Sequence, residues 1–231
     1  NQQREVCWTL PQGYRQLSGQ SYTGYAHGAA GIADALLDLY EVSEDTRYLA
    51  AAEGAARWLA RLALVSEDDA QVCNWPRSEH EAATAPFWCH GSAGIGQFFL
   101  HASQHAMFPD AGELATRAAR AVAQGTLWAN PTQCHGLAGN IEFLLDMYQA
   151  SQQPIYYTHA CALARCLATF ARQQHGLSVF PSESPLVFTP DYMLGYAGIA
   201  MCLLRLSAPR VRPRQLSRPG FRYTSPRALP A

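Results

Sequence analysis

Two short stretches of this chain each place a soft metal ligand directly before a glycine-rich helix start. Cys89 is followed by His90 in the first, and Cys134 is followed by His135 in the second. Zinc prefers thiolate and imidazole ligands, and a catalytic zinc keeps one position open for water or substrate. The positive end of a helix dipole also favours thiolate over thiol. Cys89, Cys134 and His135 are therefore the predicted zinc ligands.

The alternative for any cysteine is that it is simply a small buried hydrophobe. That interpretation fits three cysteines that lie in apolar helical segments with no neighbouring histidine: Cys161, Cys166 and Cys202. Cys89 and Cys134 differ because both belong to the same repeated turn, which favours a ligand role.

The predicted roles of the histidines depend on where they lie in the sequence. His27 precedes a similar glycine-rich start without a cysteine before it, and a side chain that titrates near neutrality suits an acid–base role there. His90 has three possible roles: substrate acid–base group, ligand in place of Cys89, or a group that orients a ligand. His80, in a long loop, is a weaker candidate. We interpret the others as surface residues: His101, His105, His159 and His175.

The glycine-rich starts form a repeat with the pattern Gly-x-x-Gly before a long apolar run. They recur roughly every 45 to 60 residues, a period typical of helical arrays. Each apolar run predicts an inner helix, and each following amphipathic segment predicts an outer helix. The copies begin at Gly28, Gly91, Gly136 and Gly195. One outer helix is predicted from Pro154 to about Gln173.

This pattern predicts an all-α chain with three regions. Residues 1–23 form an irregular lead-in, residues 24–208 form the helical array with the zinc site, and residues 209–231 form an Arg/Pro-rich, disordered tail. Residues 65–86 form a loop of unusual length, which points to a functional role.

Composition excludes several classes of function. The net charge of −1 provides no strong field for nucleic acid or anionic lipid. No apolar run approaches the roughly 20 residues that span a bilayer. Seven cysteines, an odd number without a pairing framework, indicate a reducing compartment, so we expect a cytoplasmic protein.

The combined motifs resemble those of the lanthionine synthetase C-like family over about residues 22–207. The resemblance implies an α/α toroid of seven helical hairpins around a zinc ion. About four hairpins are present here, so the chain is expected to be a C-terminal portion of a larger enzyme. By the same resemblance, Cys89, Cys134 and His135 align with the zinc ligands, and His27 aligns with an acid–base histidine.

The resemblance also implies a function and partners. Family members add peptide cysteine thiolates to dehydroalanine or dehydrobutyrine, which forms the thioether rings of lanthipeptides. The implied substrate is a dehydrated precursor peptide, and the implied partner is a dehydratase or kinase–lyase module, either fused or separate. Zn²⁺ is the only cofactor predicted.

Three alternatives remain open at this point. The same ligands would suit a glutathione-adding or other thiol-transfer enzyme. The array would also suit a non-catalytic peptide-binding scaffold in which zinc is structural. A carbohydrate-active toroid needs paired carboxylates, for which Glu142 and Asp191 are the candidates.

Overall fold

The structure is a computed structural model that describes residues 4–125, 127 and 129–209. Over these residues the fold is mostly helical, as the sequence predicts. It also contains two small β-hairpins that the all-α prediction did not include. The helices are α1 Ala29–Ser43, α2 Thr46–Arg61, α3 Ser92–Ala102, α4 Ala111–Gln124, α5 Leu137–Ser151, α6 Pro154–Ala168 and α7 Tyr196–Ser207. The strands are β1 Leu64–Val65, β2 Cys73–Asn74, β3 Arg172–Gln174 and β4 Leu177–Val179.

The predicted Arg/Pro-rich tail lies outside the described residues from position 210 onward. Within the described part of the chain, none of the helices combines the length and apolar character that a bilayer crossing requires. Contacts divide the chain into two compact units, with the boundary after Ala121, inside α4.

In the first unit α1 packs against both α2 and α3. Helix α1 ends where Glu44 adopts a left-handed conformation and donates its N–H to the Tyr40 carbonyl (2.7 Å). The Asp45 side chain then caps α2 by accepting the Arg47 N–H (3.0 Å). Local residues thus end α1 and begin α2.

In the second unit α5 packs against α6 and α7. Helix α5 is buried along nearly its whole length, as predicted for an inner helix. It ends with Gln152 in a left-handed conformation, and Pro154 occupies the first turn of α6, where its missing N–H costs nothing.

The prediction that α6 continues to about Gln173 is wrong. The helix ends at Ala168, and Arg172–Gln174 pairs antiparallel with Leu177–Val179 instead. The turn between the strands consists of His175 (φ +50°) and Gly176 (φ +76°). Two left-handed residues match the right-handed strand twist of a tight hairpin, and this local geometry overrides the helical pattern.

Candidate metal centre

One local conformation occurs four times, and we call it the helix-start turn. It comprises residues 25–28, 88–91, 133–136 and 192–195, each followed at once by an inner helix. The second turn position holds Ala26, Cys89, Cys134 and Met193. The third position holds His27, His90, His135 and Leu194. The two predicted cysteine ligands therefore lie at equivalent positions of one repeated backbone structure, and His135 follows one of them directly.

The glycines of this turn are required by close backbone approach. A Cβ on Gly91 would collide with the carbonyl of Ala85, and one on Gly94 would collide with the carbonyl of Trp88. The other copies show the same collision with the carbonyl six residues earlier. The Gly-x-x-Gly pattern thus encodes a turn that folds tightly onto its own helix start.

In the first unit two helix-start turns are docked against each other. The Ala26 N–H donates to the Cys89 carbonyl (3.1 Å), and Gly24 leaves no space for a Cβ against that same carbonyl. Cys89 is buried, His90 is half-buried and His27 is exposed. The ring centroids of His27 and His90 are 5.2 Å apart. The structure therefore brings the two predicted catalytic histidines together beside Cys89.

A polar network stabilises this part of the first unit. The Trp88 indole N–H donates to Gln97 (3.0 Å), and the Trp88 ring packs against Tyr25 with centroids 5.1 Å apart. The Tyr25 hydroxyl donates to the fully buried carboxylate of Asp34 on α1. Tyr25 and Asp34 were not among the residues predicted to be functional. Asp34 could have been found from the sequence, because it is an acidic residue on the buried face of an apolar helix.

In the second unit the turn that carries Cys134 and His135 is docked in the equivalent way. The Cys134 N–H donates to the Met193 carbonyl (2.9 Å), the same turn position used by Ala26 and Cys89. The Asn130 side chain donates to the His135 carbonyl (3.1 Å) and fixes the backbone of the turn.

The His135 imidazole has the bonding pattern expected of a metal ligand. Its Nε2 contacts the carboxylate of Glu183. Its Nδ1 is buried and has no hydrogen-bond partner among the described residues. A carboxylate on one ring nitrogen orients the ring and leaves a lone pair on the other for a metal. Glu183 lies in a proline-rich loop, and its sequence context gave no signal of this role.

Cys89 in the first unit, and Cys134 and His135 in the second, are the candidate metal ligands. Two thiol sulfurs and one imidazole nitrogen are a ligand set typical of zinc with an open fourth position. In each unit the ligands directly precede the N-terminus of an inner helix, α3 or α5, where the dipole favours thiolate. The donor set therefore fits the zinc ion that the motifs predict.

A buried amide next to Cys134 was also missed by the sequence analysis. Gln133 is almost fully buried, yet neither polar atom of its side chain has a hydrogen-bond partner among the described residues. Buried polar groups are nearly always satisfied. This amide thus has hydrogen-bonding capacity available to a bound molecule.

The remaining candidates fall outside this arrangement. His80 is exposed in its loop, and Cys202 is buried on α7, whereas Cys161 and Cys166 are only half-buried. The interpretation of His101 as a surface residue is wrong, because it is buried between α1 and α3 against two carboxylates, those of Asp34 and Glu41.

The carbohydrate-active alternative loses its candidate pair. Glu142 is buried in an ion pair with Arg205 (2.6 Å). Asp191 accepts hydrogen bonds from the Thr189 hydroxyl and the Leu194 N–H, which lower the pKa of its carboxyl. Both carboxylates thus stabilise local structure.

Comparison with known proteins identifies the family. The model of the lanthionine synthetase C-like protein family matches residues 2–214. Glutathione S-transferase LANCL1 from Danio rerio is 27% identical over 158 residues, which cover 68% of this chain and 37% of that protein. The chain therefore spans little more than a third of this relative.

Among solved structures, nisin cyclase matches 82% of this chain and 47% of its own length, with a TM-score of 0.60 at 16% identity. This likeness shows the fold, which is that of part of the α/α toroid, as predicted. The family predicted from the repeated motifs is also confirmed: the chain belongs to the lanthionine synthetase C-like family.

Proposed function

We propose that Cys89, Cys134 and His135 bind one Zn²⁺ and that the chain belongs to an enzyme that forms thioether rings in a dehydrated precursor peptide. The observation that carries the proposal is the repeated helix-start turn, which has Cys89 and Cys134 at equivalent positions. Family membership and the fold shared with nisin cyclase support the same activity.

Zinc, when bound, would lower the pKa of a peptide thiol so that it is thiolate at neutral pH. The thiolate sulfur forms a bond to the β-carbon of dehydroalanine or dehydrobutyrine. The π-electron pair moves toward the carbonyl oxygen, and the resulting enolate takes a proton at its α-carbon. No other reactant is needed, because the proton lost by the thiol balances the proton gained by the α-carbon.

Residues of this chain would transfer these protons. His27 is exposed, so its imidazole can reach the substrate and deliver a proton to the enolate. His90, with its ring 5.2 Å from that of His27, can exchange protons with it or orient the substrate. The side-chain amide of Gln133 has no hydrogen-bond partner among the described residues, so it can form hydrogen bonds with the backbone of an extended peptide.

The proposed reaction sets requirements on partners and compartment. Dehydration of serine or threonine must precede the addition, so a dehydratase or kinase–lyase module, fused or separate, must supply the substrate. The odd number of cysteines, without a pairing framework, favours a reducing compartment, and we propose the cytoplasm.

The experiment incubates the purified full-length protein with a dehydrated, cysteine-containing peptide and counts the remaining thiols by alkylation and mass spectrometry. Ring formation leaves the peptide mass unchanged and removes an alkylatable thiol. We expect Cys134→Ala to abolish ring formation and Cys161→Ala, a matched control on α6, to retain it. Equal rates for the wild type and Cys134→Ala would refute the mechanism.

Thiol transfer from glutathione is the second candidate, because the relative LANCL1 is named a glutathione S-transferase. The same assay with added glutathione separates the two functions. Transfer raises the peptide mass by one glutathione, whereas cyclisation does not. Peptide binding with neither product would indicate the non-catalytic scaffold instead.

A further inference from the structure

A second cluster of metal-binding side chains lies within the first unit, between the C-terminal parts of α1 and α3. Glu41, His101 and His105 form it, and they are a second group that could hold a metal ion. The His101 Nε2 lies 2.8 Å from Glu41 Oε1, and the His105 Nε2 lies 3.1 Å from the same oxygen. The proposed cyclisation uses none of these residues.

The ring of His101 is oriented as metal-binding histidines are. Its Nδ1 lies 2.8 Å from the carboxylate of Asp34, which is fully buried. Asp34 is in turn held by the Tyr25 hydroxyl. A carboxylate behind a histidine fixes the tautomer and raises the basicity of the opposite nitrogen, here Nε2, and such partners are typical of metal sites.

Without metal, protons hold the cluster together. Two imidazole nitrogens that face one carboxylate oxygen must each donate a hydrogen to it. The hydrogen bond from His101 lowers the pKa of Glu41 to about 2, so its carboxylate is charged at neutral pH. A divalent cation can replace the shared protons and take the same three atoms, because metal binding releases protons from its ligands.

The cluster is also accessible. His101 is buried, whereas the side chains of His105 and Glu41 are 18% and 34% exposed, so an ion has a path from solvent. Two imidazoles and one carboxylate suit Zn²⁺, Ni²⁺, Co²⁺ or Cu²⁺, whereas Mg²⁺ and Ca²⁺ prefer oxygen ligands alone.

We propose that Glu41, His101 and His105 bind a second divalent transition metal ion, with Asp34 orienting His101. This ion would join α1 to α3 within the unit that carries Cys89 and His27. The proposal does not depend on the cyclase function, because it rests on a separate set of side chains.

The test titrates chelator-treated full-length protein with Co²⁺ and records bound metal and absorption. We expect two equivalents. One gives the thiolate-to-cobalt charge-transfer band of the cysteine site, and the other binds without adding to that band. In Glu41→Gln and in His105→Gln, the affinity for the second Co²⁺ ion should fall at least about tenfold, which is comparable with the loss of an orienting group. The thiolate band should remain.

His159→Gln is the matched control, since it removes a histidine from α6 and should retain both equivalents. Glu41 and His105 are partly exposed, and circular dichroism of each variant checks that it folds. A single equivalent that gives the thiolate band in the wild type would overturn the proposal and leave a purely hydrogen-bonded cluster. A second equivalent that persists in both variants would also overturn it. A missing thiolate band would instead count against the cysteine site alone.

Discussion

Replacing Arg205 with methionine should strongly destabilise the second unit. The guanidinium of this α7 residue donates to Glu142 and Asp146 on α5, each at 2.6 Å, and to the Gln149 side chain at 2.8 Å. The side chains of all three charged residues are at most 5% exposed. Arg205→Met would leave two carboxylates buried without their shared cation, which typically costs about 3–5 kcal/mol.

For a chain of this length that loss corresponds to a decrease in Tm of about 6–20 °C, measured by circular dichroism. The matched control is Arg47→Met, which removes an exposed ion pair with Asp45 and should leave Tm unchanged. The triple variant Arg205→Met/Glu142→Gln/Asp146→Asn should recover most of the loss, because no buried charge remains. A single variant as stable as the control, or a triple variant as unstable as the single one, would refute this reasoning.

Three further predictions follow from local contacts. Glu183→Gln should weaken zinc binding about 10- to 100-fold in a chelator competition, because the carboxylate that orients His135 is lost; unchanged affinity would count against that role. In chelator-treated protein, Glu41 contributes stability above its unfolded pKa of 4.5, and that contribution is lost as pH falls toward its folded pKa of about 2. Glu41→Gln should therefore flatten the dependence of Tm on pH between about pH 5 and 2, and an unaltered slope would contradict the assignment. Burial raises the pKa of the Cys73 thiol to about 11. Iodoacetamide at pH 7.5 should therefore label the exposed Cys7 first and leave Cys73 unmodified until the protein unfolds. Equal labelling rates for the two cysteines would contradict the burial of Cys73.

The helices and the turns that hold the candidate ligands were predictable because their signals are local. Gly91 and Gly94 mark a turn that only glycine permits, and the Cys-His pair of each of these turns precedes the first glycine directly. The same local spacing recurs four times, so each copy supports the interpretation of the others.

The errors arose where distant residues decide the environment. His101 follows a run of apolar residues and resembles a polar residue at a helix end, yet its partners Asp34 and Glu41 lie more than 50 positions earlier. Glu183 acquires its contact with His135 in the same way, across a loop. No periodicity within α3 or the proline-rich loop carries that information.

The end of α6 was mispredicted for a different reason. The residues after Ala168 do not break a helical pattern by composition, and the hairpin is imposed by the positive φ angles of His175 and Gly176. A His-Gly pair is a weak turn signal compared with Asn-Gly or Asp-Gly.

The central claim is that Cys89, Cys134 and His135 share one zinc ion. X-ray absorption at the zinc edge, on full-length protein loaded with a single equivalent, tests it most directly. The account predicts two sulfur neighbours at about 2.3 Å and nitrogen at about 2.0–2.1 Å. One sulfur neighbour should disappear in Cys89→Ala and in Cys134→Ala, and both should remain in Cys202→Ala. A spectrum without sulfur, or one that neither cysteine variant changes, would contradict the account.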